Sequence, residues 1–91
     1  MNFVILFESL VNKMIAKESK ILVTGATGLV GSNIIRLLVR NGYNNVYALI
    51  RKSSRTELIK DILDVIEIAE GDLSDIVSLD SLLENIDIVI H

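Results

Sequence analysis

The chain has 91 residues, 51% of them apolar, with two Tyr, two Phe, no Trp, no proline, no cysteine and a formal charge of −3. That supports one domain at most, near the lower limit for a single core. It excludes a disulfide framework, a thiol nucleophile, a thiolate metal site and a basic surface of the kind that binds nucleic acid.

The composition predicts an Ile/Leu/Val-rich α/β protein, and the lack of cysteine fits a reducing, cytoplasmic setting. No segment reaches the roughly 18–20 apolar residues that span a bilayer, so no membrane partner is expected. Residues 1–19 read as an N-terminal extension. Phe3 to Phe7 is apolar, but no positive residue precedes it and no small-residue cleavage site follows, which argues against a signal peptide. Leu6, Leu10, Lys13-Met14 and Lys17 give a weakly amphipathic pattern, with Val4, Ile5 and Phe7 left over. That predicts a helical or frayed extension of little consequence, with Met14 as an alternative start.

From Lys20 onward the apolar pattern alternates in type. Ile21-Leu22-Val23 is a short buried-strand run, broken by Gly25-x-x-Gly28-x-x-Gly31. Leu29 to Arg40 carries Leu29, Val30, Ile34, Leu37 and Leu38 at helical spacing, and Asn41-Gly42 supplies a stop. Val46 to Ile50 reads as a strand, Glu57 to Leu63 as a helix with Leu58, Ile59, Ile62 and Leu63 on one side, and Val65 to Ala69 as a strand. Glu70-Gly71-Asp72 closes that strand. Val77 to Asn85 reads as a short helix with Leu79, Leu82 and Leu83 inward, and Asp87 to His91 as a fourth strand.

Strand–helix alternation with short connections forces parallel pairing through right-handed crossovers. The expected architecture is an α/β doubly wound parallel sheet of order 3-2-1-4, truncated after its fourth strand. Its crevice lies beside the glycine turn, where the winding reverses.

The turn itself carries the chemistry. A strand bending sharply into a helix points that helix's first N–H groups, and the positive end of its dipole, into one crevice. Such a site suits a pyrophosphate, and glycines keep side chains out of its way. A P-loop is excluded, because Gly31 is followed by Ser32 and Asn33 where that motif needs lysine. The competing structural reading is a tight turn in a flavodoxin-like domain that binds no dinucleotide.

These residues closely resemble the extended short-chain dehydrogenase/reductase family, whose members often carry the name NAD-dependent epimerase/dehydratase. The spacing Gly25-x-x-Gly28-x-x-Gly31 is that family's. Gly71-Asp72-Leu73 and Asp87-Ile88-Val89-Ile90-His91 resemble two further stretches of it, in the same order. The resemblance implies that residues 20–91 form a partial, Rossmann-like NAD(P)-binding domain. By it, Gly25, Thr27, Gly28, Leu29 and Val30 would contact the pyrophosphate, and Gly31 would let the helix lie close to the first strand. Asp72 would reach the adenine amino group, with Leu73 packing near the ring. Taken alone, Asp72 reads as a turn former or helix N-cap ahead of Ser74-Asp75.

The second strand ends in Arg51, followed by Lys52, Ser53, Ser54 and Arg55, with no carboxylate before Glu57. An acidic residue there would favour NAD; a guanidinium pairs with a 2′-phosphate. Arg51 and Lys52 therefore predict NADP, with NAD as the alternative. The bland alternative is a solvated basic loop.

The family's chemistry rests on a Tyr-x-x-x-Lys pair and an upstream Ser or Thr. No Tyr-x-x-x-Lys occurs in these residues: Tyr43 is followed four places on by Tyr47, and Tyr47 by Arg51, and both tyrosines read as packing residues. The chain thus reads as the cofactor-binding portion of an oxidoreductase or epimerase that lacks the catalytic and substrate-binding region. The rivals are a non-catalytic nucleotide-binding module and a truncated gene product without independent activity. His91 reads as a packing residue at the start of a loop, and no His, Cys and carboxylate cluster suggests a metal. The Ile88-Val89-Ile90 strand would leave an open sheet edge, which predicts self-association or a covering partner.

Overall fold

The computed structural model describes residues 3–51, 55–72 and 76–91. Its elements run α1 (Phe3–Met14), β1 (Ile21–Val23), α2 (Leu29–Arg40), β2 (Val46–Ile50), a 3-10 helix η1 (Glu57–Val65), β3 (Glu67–Glu70), α3 (Ile76–Leu83) and β4 (Ile88–Ile90). The four strands form one parallel sheet of order β3-β2-β1-β4, as the alternation of elements requires.

The two-residue period of the strands divides their side chains between two faces. On one face Ile21, Val23, Val46, Ala48, Ile50 and Ile66 pack with Ile35 and Leu38 of α2 and Ile59 of η1. On the other, Leu22, Leu49 and Ala69 pack with Leu79 of α3. The first face is the better covered. Among the described residues the second has only α3 over it, and Val89 on edge strand β4 is 48% exposed.

The bounds of α2 follow from local chemistry at both ends. Gly28 is its extended N-cap, and its carbonyl accepts the first helical N–H, that of Ser32. At the other end Gly42 takes a left-handed step (φ 88), so that its N–H reaches the Val39 carbonyl and that of Tyr43 reaches Leu38. This 6→1 and 5→2 pair ends the helix as a Schellman motif.

Segment 57–65 winds as a 3-10 helix rather than an α-helix, and β3 begins two residues later than its apolar run predicts. A long-range contact accompanies the tighter winding. The Arg36 guanidinium of α2 donates to both carboxylate oxygens of Asp61, at 2.5 and 2.7 Å, and to the Leu58 carbonyl. Only Ile59 of this segment is fully buried; Leu58 is 44% exposed.

The N-terminal helix is more engaged than its weak pattern implies. Val11 and Ile15 pack on the core, and the buried Tyr43 hydroxyl lies 2.9 Å from the Val11 carbonyl and 3.2 Å from those of Ile15 and of the Asn12 side chain. Lys17 Nζ sits 4.2 Å from the centre of the Tyr43 ring and donates to the Asn41 carbonyl. Arg40 pairs with Glu8. Asn12 and Asn41 join side chain to side chain at 2.9 Å. Residues 3–17 therefore brace the C-terminal end of α2.

Candidate functional site

In a parallel sheet every strand ends at the same edge, so the segments following β1, β2, β3 and β4 gather there. Those segments are Thr24-Gly25, Arg51, Gly71-Asp72 and His91. The Gly71 N–H donates to the Ile50 carbonyl at 3.0 Å, which carries the β2–β3 pairing one step past the strands and sets Asp72 at the end of β3. Arg51 and Asp72 are both exposed. Lys52 and Leu73 lie outside the described residues.

The glycine turn is built around one carbonyl. Gly25 takes a left-handed conformation (φ 61), and its carbonyl oxygen accepts the Gly28 N–H at 3.0 Å. A Cβ placed on Gly31 would lie 2.0 Å from that same oxygen, 2.6 Å from the Gly25 carbonyl carbon and 3.1 Å from Ala26 Cα. All three atoms are backbone, so no side-chain movement relieves the overlap. Glycine at position 31 is what lets α2 lie directly on the turn. At Gly28 the nearest atom to an added Cβ is again the Gly25 oxygen, at 3.4 Å.

The amides of Leu29, Val30 and Gly31 precede the first intrahelical bond of α2, so the helix itself supplies them with no acceptor. Beside them a crevice of about 370 Å³ is lined by Val23, Thr24, Gly25, Val30, Gly31, Ile34, Ile90 and His91. Gly25 and Gly28 are exposed, Thr27 is half-buried, and Leu29 and Val30 each turn 68% of their surface outward. The helix dipole, the N-terminal amides and the lack of side chains at the turn fit an anionic diphosphate. Among the described residues no group of three His, Cys, Asp or Glu could hold a metal ion.

Sequence reasoning passed over Thr24 in this crevice and read His91 as a packing residue. Thr24 is buried, and its Oγ1 lies 2.7 Å from His91 Nδ1. Its N–H donates to the Ile90 carbonyl at 3.0 Å. His91 is exposed and hydrogen-bonded rather than a packing residue. The signal was in the register: β1 and β4 pair in parallel with Val23 beside Ile90, so the next residue on each strand must sit side by side.

Residues 21–91 match the NAD dependent epimerase/dehydratase family. A Synechocystis sp. protein named "Putative dihydroflavonol 4-reductase" is 43% identical over 65 residues, 71% of this chain and 18% of that protein. An Arabidopsis thaliana protein named "Probable pinoresinol-lariciresinol reductase 3" is 32% identical over 75 residues, 81% of this chain and 24% of its own length. The chain therefore spans about a fifth to a quarter of the relatives it matches.

Proposed function

The chain belongs to the NAD dependent epimerase/dehydratase family, and from that we propose that its glycine turn binds the pyrophosphate of NADP. The single observation that carries the reading is the turn itself: left-handed Gly25, a backbone-tight Gly31 and three leading amides of α2, opening on one crevice. In this reading Gly25, Thr27, Gly28, Leu29 and Val30 hold the phosphates. Gly31 sets the helix against the turn. Asp72, with Leu73, receives the adenine.

Arg51 and Lys52 select NADP over NAD. Arg51 is exposed at the C-terminal end of β2, where a guanidinium meets a 2′-phosphate with two parallel hydrogen bonds. One such charge-assisted bond is worth roughly 1.5–3 kcal/mol, about ten- to a hundredfold in affinity.

When bound, the nicotinamide supplies hydride transfer. A full-length member of the family would use it to oxidise, reduce or epimerise a carbonyl, alcohol or nucleotide-sugar substrate, and the reductase names of both relatives support reduction. No Tyr-x-x-x-Lys lies within residues 1–91, so these residues bind and orient and the acid/base step belongs elsewhere. We place the protein in the cytoplasm; among the described residues no helix is long and apolar enough to cross a membrane. The exposed β4 edge would be covered by further chain or by a second copy.

Calorimetric titration of NADP and NAD into the 91-residue chain tests the reading. The expected result is weak binding through the adenosine diphosphate half, tighter for NADP. Absence of binding by either dinucleotide at millimolar concentration overturns it.

A further inference from the structure

Resting on that reading, we propose that His91 is a direct ligand of the pyrophosphate, its Nε2–H donating into the crevice, and that Thr24 is the positioning residue that fixes it there. Thr24 Oγ1 lies 2.7 Å from His91 Nδ1, the closer of its two polar partners, and within donating distance of the Ile90 carbonyl at 3.4 Å. In this proposal the hydroxyl donates across the shorter contact, to Nδ1. An imidazole that accepts at Nδ1 carries its proton at Nε2, and that nitrogen is a donor. Thr24 is buried, and its N–H donates to the Ile90 carbonyl.

His91 itself is exposed and lines the same crevice as Val30 and Gly31, whose amides are the helical donors. The imidazole thus adds a side-chain donor on the β4 wall to the backbone donors on the α2 wall. A diphosphate in the crevice would then meet donors from both elements. Thr24 acts through the ring: it sets which nitrogen carries the proton and in what direction the ring lies.

Long-range proton–nitrogen NMR of the unliganded chain reads the tautomer directly, and the Nε2–H form is expected. NADP should then shift the Nε2 resonance, while 2′-AMP, which has no diphosphate, should not. His91→Asn keeps a polar atom near Thr24 but none at the Nε2 position, and should weaken NADP about tenfold with 2′-AMP unchanged. His91→Gln restores a donor at that reach and should recover most of the loss. Thr24→Val should mix the tautomers and weaken NADP, and Thr24→Ser should restore both. An Nδ1–H tautomer in the wild type, or equal NADP affinity of wild type and His91→Asn, overturns the inference and leaves the dinucleotide site standing. Failure of the wild type to bind NADP removes the parent reading and this one with it. The tautomer is read on the unmodified protein, so no variant's folding decides the outcome.

Discussion

Substituting Gly31 by alanine places a methyl group where the turn has no room. Its Cβ would start 2.0 Å from the Gly25 oxygen, against about 3.4 Å for ordinary contact, so α2 and the turn must part by more than 1 Å. Neither side can give cheaply. The turn is pinned by the Gly28-to-Gly25 bond and by Thr24 on Ile90, and α2 is held by Ile35 and Leu38 in the core. Overpacking of a close-packed site costs about 1–3 kcal/mol. A clash made only of backbone belongs at the top of that range, or about 3 kcal/mol. Alanine recovers about 1 kcal/mol through its better helix propensity. The net expectation is a loss of about 2 kcal/mol. For a domain of this size that lowers the melting midpoint by roughly 8–16 °C. Circular dichroism melts and urea unfolding measure it, with Gly28→Ala as the internal control. At Gly28 the added Cβ meets the same oxygen at 3.4 Å, and the expected loss is below about 1 kcal/mol. Equal stability of Gly31→Ala and wild type, or a larger loss at Gly28, would refute the argument that backbone contact fixes this glycine.

Three further outcomes are expected. Arg51→Asp should reverse the dinucleotide preference by about ten- to a hundredfold without changing the melting midpoint, since Arg51 is exposed; an unchanged NADP-to-NAD ratio removes it as the selector. Tyr43→Phe should cost about 1 kcal/mol and speed amide exchange in α1, because the hydroxyl bonded to Val11 is lost. Burial raises the Tyr43 phenol above its usual 10.0, so its contribution is whole below that pH and is lost as pH rises through the raised value; the alkaline limb should flatten in Tyr43→Phe. Hydrogen bonding by Arg36 holds Asp61 below 3.8, and hydrogen bonding by Arg40 holds Glu8 below 4.5. Their contributions are present above those values and lost as pH falls through the depressed ones. Acid unfolding of Asp61→Asn should accordingly show a shallower pH dependence than wild type, and added salt should shrink the difference because both pairs are exposed.

Sequence pattern was enough where a single stretch of chain decides the outcome. The bounds of α2 and β2 follow from the glycine turn, the Asn41-Gly42 stop and the five-residue apolar run, and strand order follows from alternation. Pattern was not enough where partners lie far apart in the chain. The 3-10 winding of 57–65 accompanies an arginine more than 20 residues upstream, whose guanidinium takes the Leu58 carbonyl. The role of α1 rests on Tyr43, a residue that from sequence alone is simply a packed aromatic. Thr24 and His91 stand 67 residues apart and meet only because β1 and β4 pair in register. Each of these is a tertiary hydrogen bond, and no periodicity in hydrophobicity encodes one.

α2 joins two regions that do different work. Its first turn leads into the crevice, and its last turn, with Arg40, Asn41 and the Schellman pair, receives α1 and Tyr43. Twelve residues of helix span about 18 Å, well beyond a Debye length of roughly 8 Å at physiological salt. Charge changes at the α1 end therefore act on the crevice only by moving the helix. Gly31 stops that movement, because its backbone already touches the turn. Substitutions around Tyr43 should thus lower stability and leave dinucleotide affinity in the folded fraction unchanged, and those at Arg51 should do the reverse. Gly31, which belongs to both the packing and the crevice, should move the two together.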